Sequence, residues 1–224
     1  MRAILFDAFG TLFDTRSGGS ARETILSHLR AGGASVDENA FRSEWTEFYQ
    51  IHTAPEAEFR TERILFEERI RMFYRRYAIK RNAAADSDSI LQGAFTRKAF
   101  PEAADALSAL RKEYRVLIAS NTDNDVLEQV MTQNRIAADG VYTSENLKCY
   151  KSNPDFYRKI LDDIGLSPRE VLFVGDSVRD DILGPKALGI PAVWVNRSGK
   201  TEDFGQIGTV SDLRELLEIT EKCL

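Results

Sequence analysis

The sequence contains few cysteines and no long apolar segment. Only Cys149 and Cys223 are present among 224 residues, and their wide separation indicates no disulfide framework. No run approaches the ~20 apolar residues of a membrane-spanning helix. The N-terminus enters an apolar strand pattern at once, without the pattern of a signal peptide. These absences predict a reduced, cytoplasmic protein without a membrane partner.

The sequence also lacks an excess of positive charge. Its formal net charge is −5, whereas nucleic-acid binding needs clustered basic residues. The locally basic stretch 69–81 follows Glu62, Glu67 and Glu68 and is interpreted as a solvated helix face. Hydrophobic residues make up 43% of the chain and charged residues 29%, which is ordinary for a globular protein of one or two domains. We expect a small-molecule partner and no nucleic acid, in a monomer or homodimer.

From residue 99 onward, strand patterns alternate with helical patterns. Strands are predicted at 115–119, 141–143, 171–174 and 191–195, and helices at 101–113, 123–133, 154–164, 179–188 and 212–220. Such alternation is typical of an α/β fold in which helices cover both faces of a parallel sheet. The sequence therefore predicts a Rossmann-like, doubly wound core.

Residues 16–97 show helical periodicity almost throughout. Helices are predicted at 20–31, 37–52, 57–78 and 84–97. We expect a core of residues 1–15 plus 98–224, with an all-helical domain of residues 16–97 inserted through hinges near Thr15–Gly19 and Arg97–Phe100. His28 and His52 are assigned no role, and nothing distinguishes Trp45 or Arg60 as substrate contacts. The aromatic residues of the insertion are interpreted as its core: Trp45, Phe48, Tyr49, Phe59, Phe66 and Phe73.

Polar residues follow several of the predicted strands. Asp7 comes directly after the apolar run 3–6, and Thr11 lies four residues later. Ligands in open α/β sheets bind beyond the carboxyl ends of the strands, and a carboxylate placed there can act as a nucleophile. The other residues at or just past strand ends are Ser120, Asn121, Lys151, Asp176 and Asp181.

In this order, these residues resemble the motifs of the haloacid dehalogenase (HAD) superfamily, in the subgroup with a helical cap between the first and second motifs. The resemblance implies that Asp7 forms a covalent aspartyl intermediate. It implies that the hydroxyls of Thr11 and Ser120 bind the transferred group, next to Asn121. The Lys151 ammonium would neutralise charge around the nucleophile.

The same resemblance implies a Mg²⁺ site. Its ligands would be Asp7, Asp176 and the backbone carbonyl of Phe9, with Asp181 close by through water. Magnesium prefers oxygen ligands of this kind. Asp180 is the other candidate for the second acidic position, but the spacing to Gly184 favours Asp181.

Phe9 is the main departure from the superfamily pattern. Most of its phosphatases carry a second aspartate there, which protonates the leaving group, and positioned acids of this kind contribute ~10² to 10⁴-fold. We nevertheless favour a Mg-dependent phosphatase acting on a small phosphorylated metabolite, because Asp176 follows Gly175 as in the metal-binding form of the fourth motif.

Two alternatives stay open. One is a metal-independent L-2-haloacid dehalogenase, since halide leaves without a proton and the stretch 192–199 resembles those enzymes. Against it, a carboxylate at Asp176 would repel an anionic haloacid, and Thr46 follows Trp45 where dehalogenases hold the substrate carboxylate with arginine. The other alternative is a pseudoenzyme that has lost turnover through Phe9.

Overall fold

The computed structural model describes residues 1–17, 19–151 and 153–222, so Cys223 lies outside it. Six parallel strands form the main sheet, in the order β5-β4-β1-β6-β7-β8, and β2 and β3 form a separate antiparallel pair. In chain order the strands are β1 (Ala3–Phe6), β2 (Phe13–Asp14), β3 (Lys98–Ala99), β4 (Arg115–Ser120), β5 (Gly140–Thr143), β6 (Val171–Gly175), β7 (Ala192–Val195) and β8 (Gly208–Val210).

Alternating side chains of the central strands bury both faces of the sheet. In β1, Ile4 and Phe6 belong to one core cluster, whereas Ala3 and Leu5 belong to the other. Successive strand residues point to opposite faces, and a continuous apolar strand is buried on both sides. The predicted doubly wound α/β core is confirmed.

Helices cover this sheet and form the insertion. Those of the insertion are α1 (Ala21–Ala31), α2 (Glu38–His52), α3 (Glu62–Arg76) and α4 (Ala83–Ala94). Those of the core are α5 (Ala103–Leu110), α6 (Asn124–Asn134), α7 (Ser144–Leu147), α8 (Pro154–Ile164), α9 (Gly184–Ala187) and α10 (Leu216–Lys222). Within the described residues, no helix has the length and apolarity that crossing a bilayer would need.

A helical cap is therefore inserted between β2 and β3. Its own aromatic core includes Phe41, Trp45 and Phe73, with the Phe41 and Phe73 ring centroids 4.7 Å apart. The β2–β3 ribbon pairs Phe13 with Ala99 and Asp14 with Lys98, so it joins the two chain crossings between cap and core. The exact boundaries 16–97 stay a prediction.

Several elements differ from the predictions. The helix predicted over 57–78 begins only at Glu62, and the one predicted over 84–97 ends at Ala94, before β3. The helix predicted over 179–188 is a π-helix (Val178–Leu183) followed by α9. Pro185 has no N–H to donate, which disturbs the regular hydrogen-bond ladder at this point. Strands as short as β2, β3 and β8 leave no periodicity to detect.

Candidate active site

Asp7 lies at the carboxyl end of β1, where the chain turns sharply. Its backbone N–H donates to the carbonyl of Val174, at 2.9 Å, which ties the turn to β6. Gly10 has φ +102°, and a Cβ atom there would collide with the Asp176 carboxylate. The buried Thr11 hydroxyl donates to Asp176 Oδ1 at 3.4 Å. The turn thus brings the first and fourth motifs into contact, and only glycine fits it.

Lys151 lies between two carboxylates. Its Nζ atom is 2.5 Å from Asp7 Oδ1 and 2.7 Å from Asp181 Oδ1, and the three side chains are at most 6% exposed. The Lys151 backbone N–H donates to Asn121 Oδ1 at 2.8 Å, which fixes the lysine at the end of β4. Burial opposes the charged form, but the charges of Asp181 and Asp7 outweigh it and raise the pKa of Lys151.

The loop after β6 and the π-helix that follows it supply the other acidic side chains, Asp176 and Asp181. Asp181 Oδ2 accepts from the Ser177 backbone N–H at 2.9 Å, and a Cβ atom on Gly175 would collide with the Asp181 carboxylate. Burial raises the pKa of Asp181 well above its usual range, although Lys151 opposes the shift. The structure brings Asp181, rather than Asp180, into contact with Lys151.

Asp176 faces Asp7 across the cleft. Its side chain is exposed to solvent, yet the protein atoms on its inner side and the negative charge of Asp7 raise the pKa of its carboxyl group to about 7. The Trp194 indole donates to the Asp176 carbonyl at 3.0 Å and holds this loop against β7.

Asp7, Asp176 and Asp181 could hold a divalent metal ion. One carboxylate oxygen from each lies within 4.8 Å of the others. Asp7 Oδ2 is buried and, among the described residues, has no hydrogen-bond partner. An orphaned carboxylate oxygen beside two further acidic groups suits Mg²⁺. These residues fit the metal, whereas the role of the Phe9 carbonyl stays a prediction.

The cleft around Asp7 has a volume of 280 Å³. The residues that line it include six of the proposed site residues, Asp7, Ser120, Asn121, Lys151, Asp176 and Asp181, together with Phe9. It is also lined by Thr15, Tyr49, Glu62 and Arg97, to which the sequence assigned no role in the site. Loss of solvent around Glu62 and the charge of Asp123 raise the pKa of Glu62 to about 7. Of these, Thr15 and Arg97 carried a signal in the sequence, because each lies in a predicted hinge.

The cap residues that the sequence left without a role contact other residues of the cap. Arg60 pairs with Glu68 at 2.5 Å and contacts His52 Nδ1 at 2.8 Å. His28 Nδ1 lies 2.7 Å from the Tyr74 hydroxyl. Trp45 belongs to the cap core and also lines a cavity next to the cleft.

A carboxylate of the core binds the start of a cap helix. Asp123, which follows β4, accepts from the backbone N–H groups of Glu62 and Arg63 at 2.8 and 3.0 Å. Thr61, at the N-cap of α3, makes no side-chain hydrogen bond to the first N–H groups of its helix. The free N–H groups of a helix start need an acceptor, and here the core supplies it. Asp123 therefore holds the cap over the cleft.

The chain belongs to the haloacid dehalogenase-like hydrolases, since the model of that family matches residues 1–189. It is 26% identical to (S)-2-haloacid dehalogenase 4A of Burkholderia cepacia over 97% of this chain and 95% of that protein. A solved structure of a dehalogenase with an intermediate complex is 25% identical, with a TM-score of 0.75 over 98% of this chain and 96% of that one. The N-acylneuraminate-9-phosphatase of mouse (Mus musculus) is 31% identical, but the match covers only 42% of this chain and 39% of that protein.

Proposed function

We propose that the protein hydrolyses 2-halogenated carboxylic acids, with Asp7 as the nucleophile that displaces halide from C2. The observation that carries the proposal is the cleft around Phe9, where a phenyl ring stands at the position of the superfamily's usual proton donor. Halide leaves without a proton, whereas an alkoxide needs one. Similarity to a dehalogenase along almost the whole chain supports the same proposal. The phenyl ring of Phe9 and this similarity both favour a dehalogenase over the phosphatase expected from the sequence.

The geometry suits a two-step displacement. Lys151 holds Asp7 through Oδ1, so Oδ2 is free to attack C2. The new C–O bond forms as the carbon–halogen bond breaks, and the halide departs with the bonding electron pair. Water then attacks the carbonyl carbon of the aspartyl ester, which regenerates Asp7 and yields the 2-hydroxy acid and one proton. Covalent catalysis of this kind divides one difficult step into two easier ones.

A Mg-dependent phosphatase is the second candidate, and one observation favours it. Asp7, Asp176 and Asp181 place carboxylate oxygens within 4.8 Å of one another, which is a donor set for Mg²⁺. When bound, the metal would neutralise charge on a phosphoryl group. Phe9 would then restrict the enzyme to leaving groups that need no proton.

Two substrates and two conditions separate the candidates. Chloride release from L-2-chloropropionate and nitrophenol release from p-nitrophenyl phosphate are measured with magnesium and with a chelator. The proposed function predicts chloride release that persists in chelator and survives Asp176→Asn. Phosphate hydrolysis that requires magnesium and is lost in Asp176→Asn, without chloride release, would instead establish the phosphatase. Asp7→Asn should abolish either activity.

A further inference from the structure

A second cavity of 190 Å³ adjoins the catalytic cleft at the contact between cap and core. The two spaces share Tyr49, Glu62 and Arg97 as lining residues. The other walls of the second cavity are largely apolar and include Trp45, Leu65, Phe66, Ile90, Leu91 and Ala94. A water molecule occupies about 30 Å³ in the liquid, so this cavity has room for a short chain attached to a group in the cleft.

Two arginines of this cavity, Arg69 and Arg97, form no ion pair with any described residue. Arg69 donates to the Trp45 carbonyl at 3.1 Å and lies over the Trp45 ring, with Cζ 3.9 Å from the ring centroid. Arg97 lies over Phe9. The Nε atoms of both arginines are buried and have no hydrogen-bond partner within the described chain, and neither guanidinium forms an ion pair there. Desolvation lowers the pKa of Arg69 to about 10 and also lowers that of Arg97, although the charge of Glu62 partly opposes both shifts.

Cation–π contact alone does not compensate the burial of the positive charges of Arg69 and Arg97. Other arginines of the same cap have carboxylate partners: Arg30 and Arg42 pair with Glu38, Arg60 with Glu68, and Arg81 with Asp86. A desolvated cation without a partner is costly. Two described carboxylates line this cavity, Glu62 and Asp123. Asp123 accepts from the start of α3. Glu62 accepts from the Tyr49 hydroxyl and forms an ion pair with neither Arg69 nor Arg97.

We propose that this cavity binds the distal part of the substrate, an apolar chain that ends in a carboxylate held by Arg69 and Arg97. The proposal rests on the proposed function, because the reacting 2-halo acid group would occupy the neighbouring cleft. It extends that function from small haloacids to halogenated dicarboxylic acids.

Three substrates test the subsite: 2-chloropropionate, 2-chlorohexanoate and 2-chlorohexanedioate, whose tail ends in a second carboxylate. A charge-assisted hydrogen bond contributes about 1.5–3 kcal/mol, or roughly 10- to 100-fold. We expect kcat/KM for the dicarboxylate to exceed that for 2-chlorohexanoate by such a factor. Arg69→Met should remove most of this preference and Arg69→Lys should retain part of it. Arg75→Met is the matched control, since Arg75 is an exposed residue of the same helix.

Direct binding separates failure of the subsite from failure of the proposed function. Calorimetric titration with the unreactive hexanedioate and hexanoate needs no turnover. Tighter binding of hexanedioate that is lost in Arg69→Met would support the subsite even if no chloride were released from any substrate. Equal affinity for the two acids in the wild-type protein would overturn the subsite while leaving dehalogenation of 2-chloropropionate untouched. The subsite would also be overturned if Arg69→Met kept a native circular dichroism spectrum and bound hexanedioate as tightly as the wild-type protein.

Discussion

The Arg97 guanidinium lies over the Phe9 ring, with its Cζ atom 4.7 Å from the ring centroid. Arg97 belongs to the segment where the chain returns from cap to core, and Phe9 belongs to the loop that carries Asp7, the proposed nucleophile. The contact therefore places a cation and an apolar ring where related phosphatases have an acid. A leaving group that departs as an anion needs no proton from this side.

Removal of the Lys151 ammonium should impair both stability and turnover. In Lys151→Met, Asp7 and Asp181 would lose their shared buried partner, and breaking a buried ion pair costs about 3–5 kcal/mol. Loss of one such electrostatic contact lowers kcat by about 10²–10³. Urea unfolding and initial rates test this, with Lys112→Met, at an exposed position, as the control. Unchanged stability would mean that the buried carboxylates are not charged.

The Gly10 position should tolerate no side chain. Gly10 and Gly33 both have positive φ, +102° and +86°, so alanine strains the backbone at either by about 1–2 kcal/mol. Only at Gly10 would the new Cβ atom also collide with Asp176, whereas nothing surrounds Gly33. Gly10→Ala should therefore lose activity beyond its loss of stability, and Gly33→Ala should lose stability alone. Equal activities at matched folded fractions would show that the Asp7–Asp176 arrangement is unimportant.

Asp123 should control closure of the cap. Asp123→Ala removes the acceptor for two N–H groups of α3, and loss of a helix cap costs about 0.5–2 kcal/mol. Asp37→Ala is the matched control, because Asp37 caps α2 within the cap in the same way, accepting from Asn39 and Ala40. Hydrogen exchange at Glu62 and Arg63 should accelerate in Asp123→Ala only, and KM should rise only there. Identical KM values in the two variants would contradict a role in closure.

Binding of a dicarboxylate should depend on the charge of Glu62. Its pKa is raised to about 7, so the carboxyl group is neutral below about pH 7 and negative above it. Arg69, Arg97, Asp123 and Tyr49 also face Glu62. Hexanedioate should therefore bind more tightly as the pH falls through 7, and Glu62→Gln should reduce this dependence in calorimetric titration, leaving the contribution of Asp176, whose pKa is also raised to about 7. An undiminished pH dependence in Glu62→Gln would assign the titration to another group.

The parts of the site that follow strands could be predicted from the sequence. Asp7, Ser120 and Asp176 converge because parallel strands end at one edge of the sheet, so strand ends alone indicate their proximity. Lys151 lies beyond α7 and reaches the same edge through its hydrogen bond to Asn121. Tyr49 and Glu62 could not be predicted, because their positions depend on how the cap docks on the core. That docking depends on contacts such as the one between Asp123 and the start of α3, which leave no periodic pattern.

The π-helix that contains Asp181, where an α-helix was expected, could not be predicted from the sequence either. It arises from Pro185 and from the packing of Gly184 against the Tyr157 hydroxyl, which is a tertiary contact. The sequence favoured Asp181 over Asp180 through its spacing to Gly184, and the structure places Asp181 against Lys151, a contact that the sequence analysis did not predict.

The central claim is that the Asp7 carboxylate itself displaces the leaving group. A single turnover of 2-chloropropionate with excess enzyme in heavy-oxygen water tests it most directly. The account predicts that the 2-hydroxy acid carries ordinary oxygen taken from Asp7, and that mass spectrometry finds heavy oxygen in the peptide containing Asp7. Heavy oxygen in the product, with an unlabelled Asp7 peptide, would show that water attacks the substrate directly and would contradict the claim.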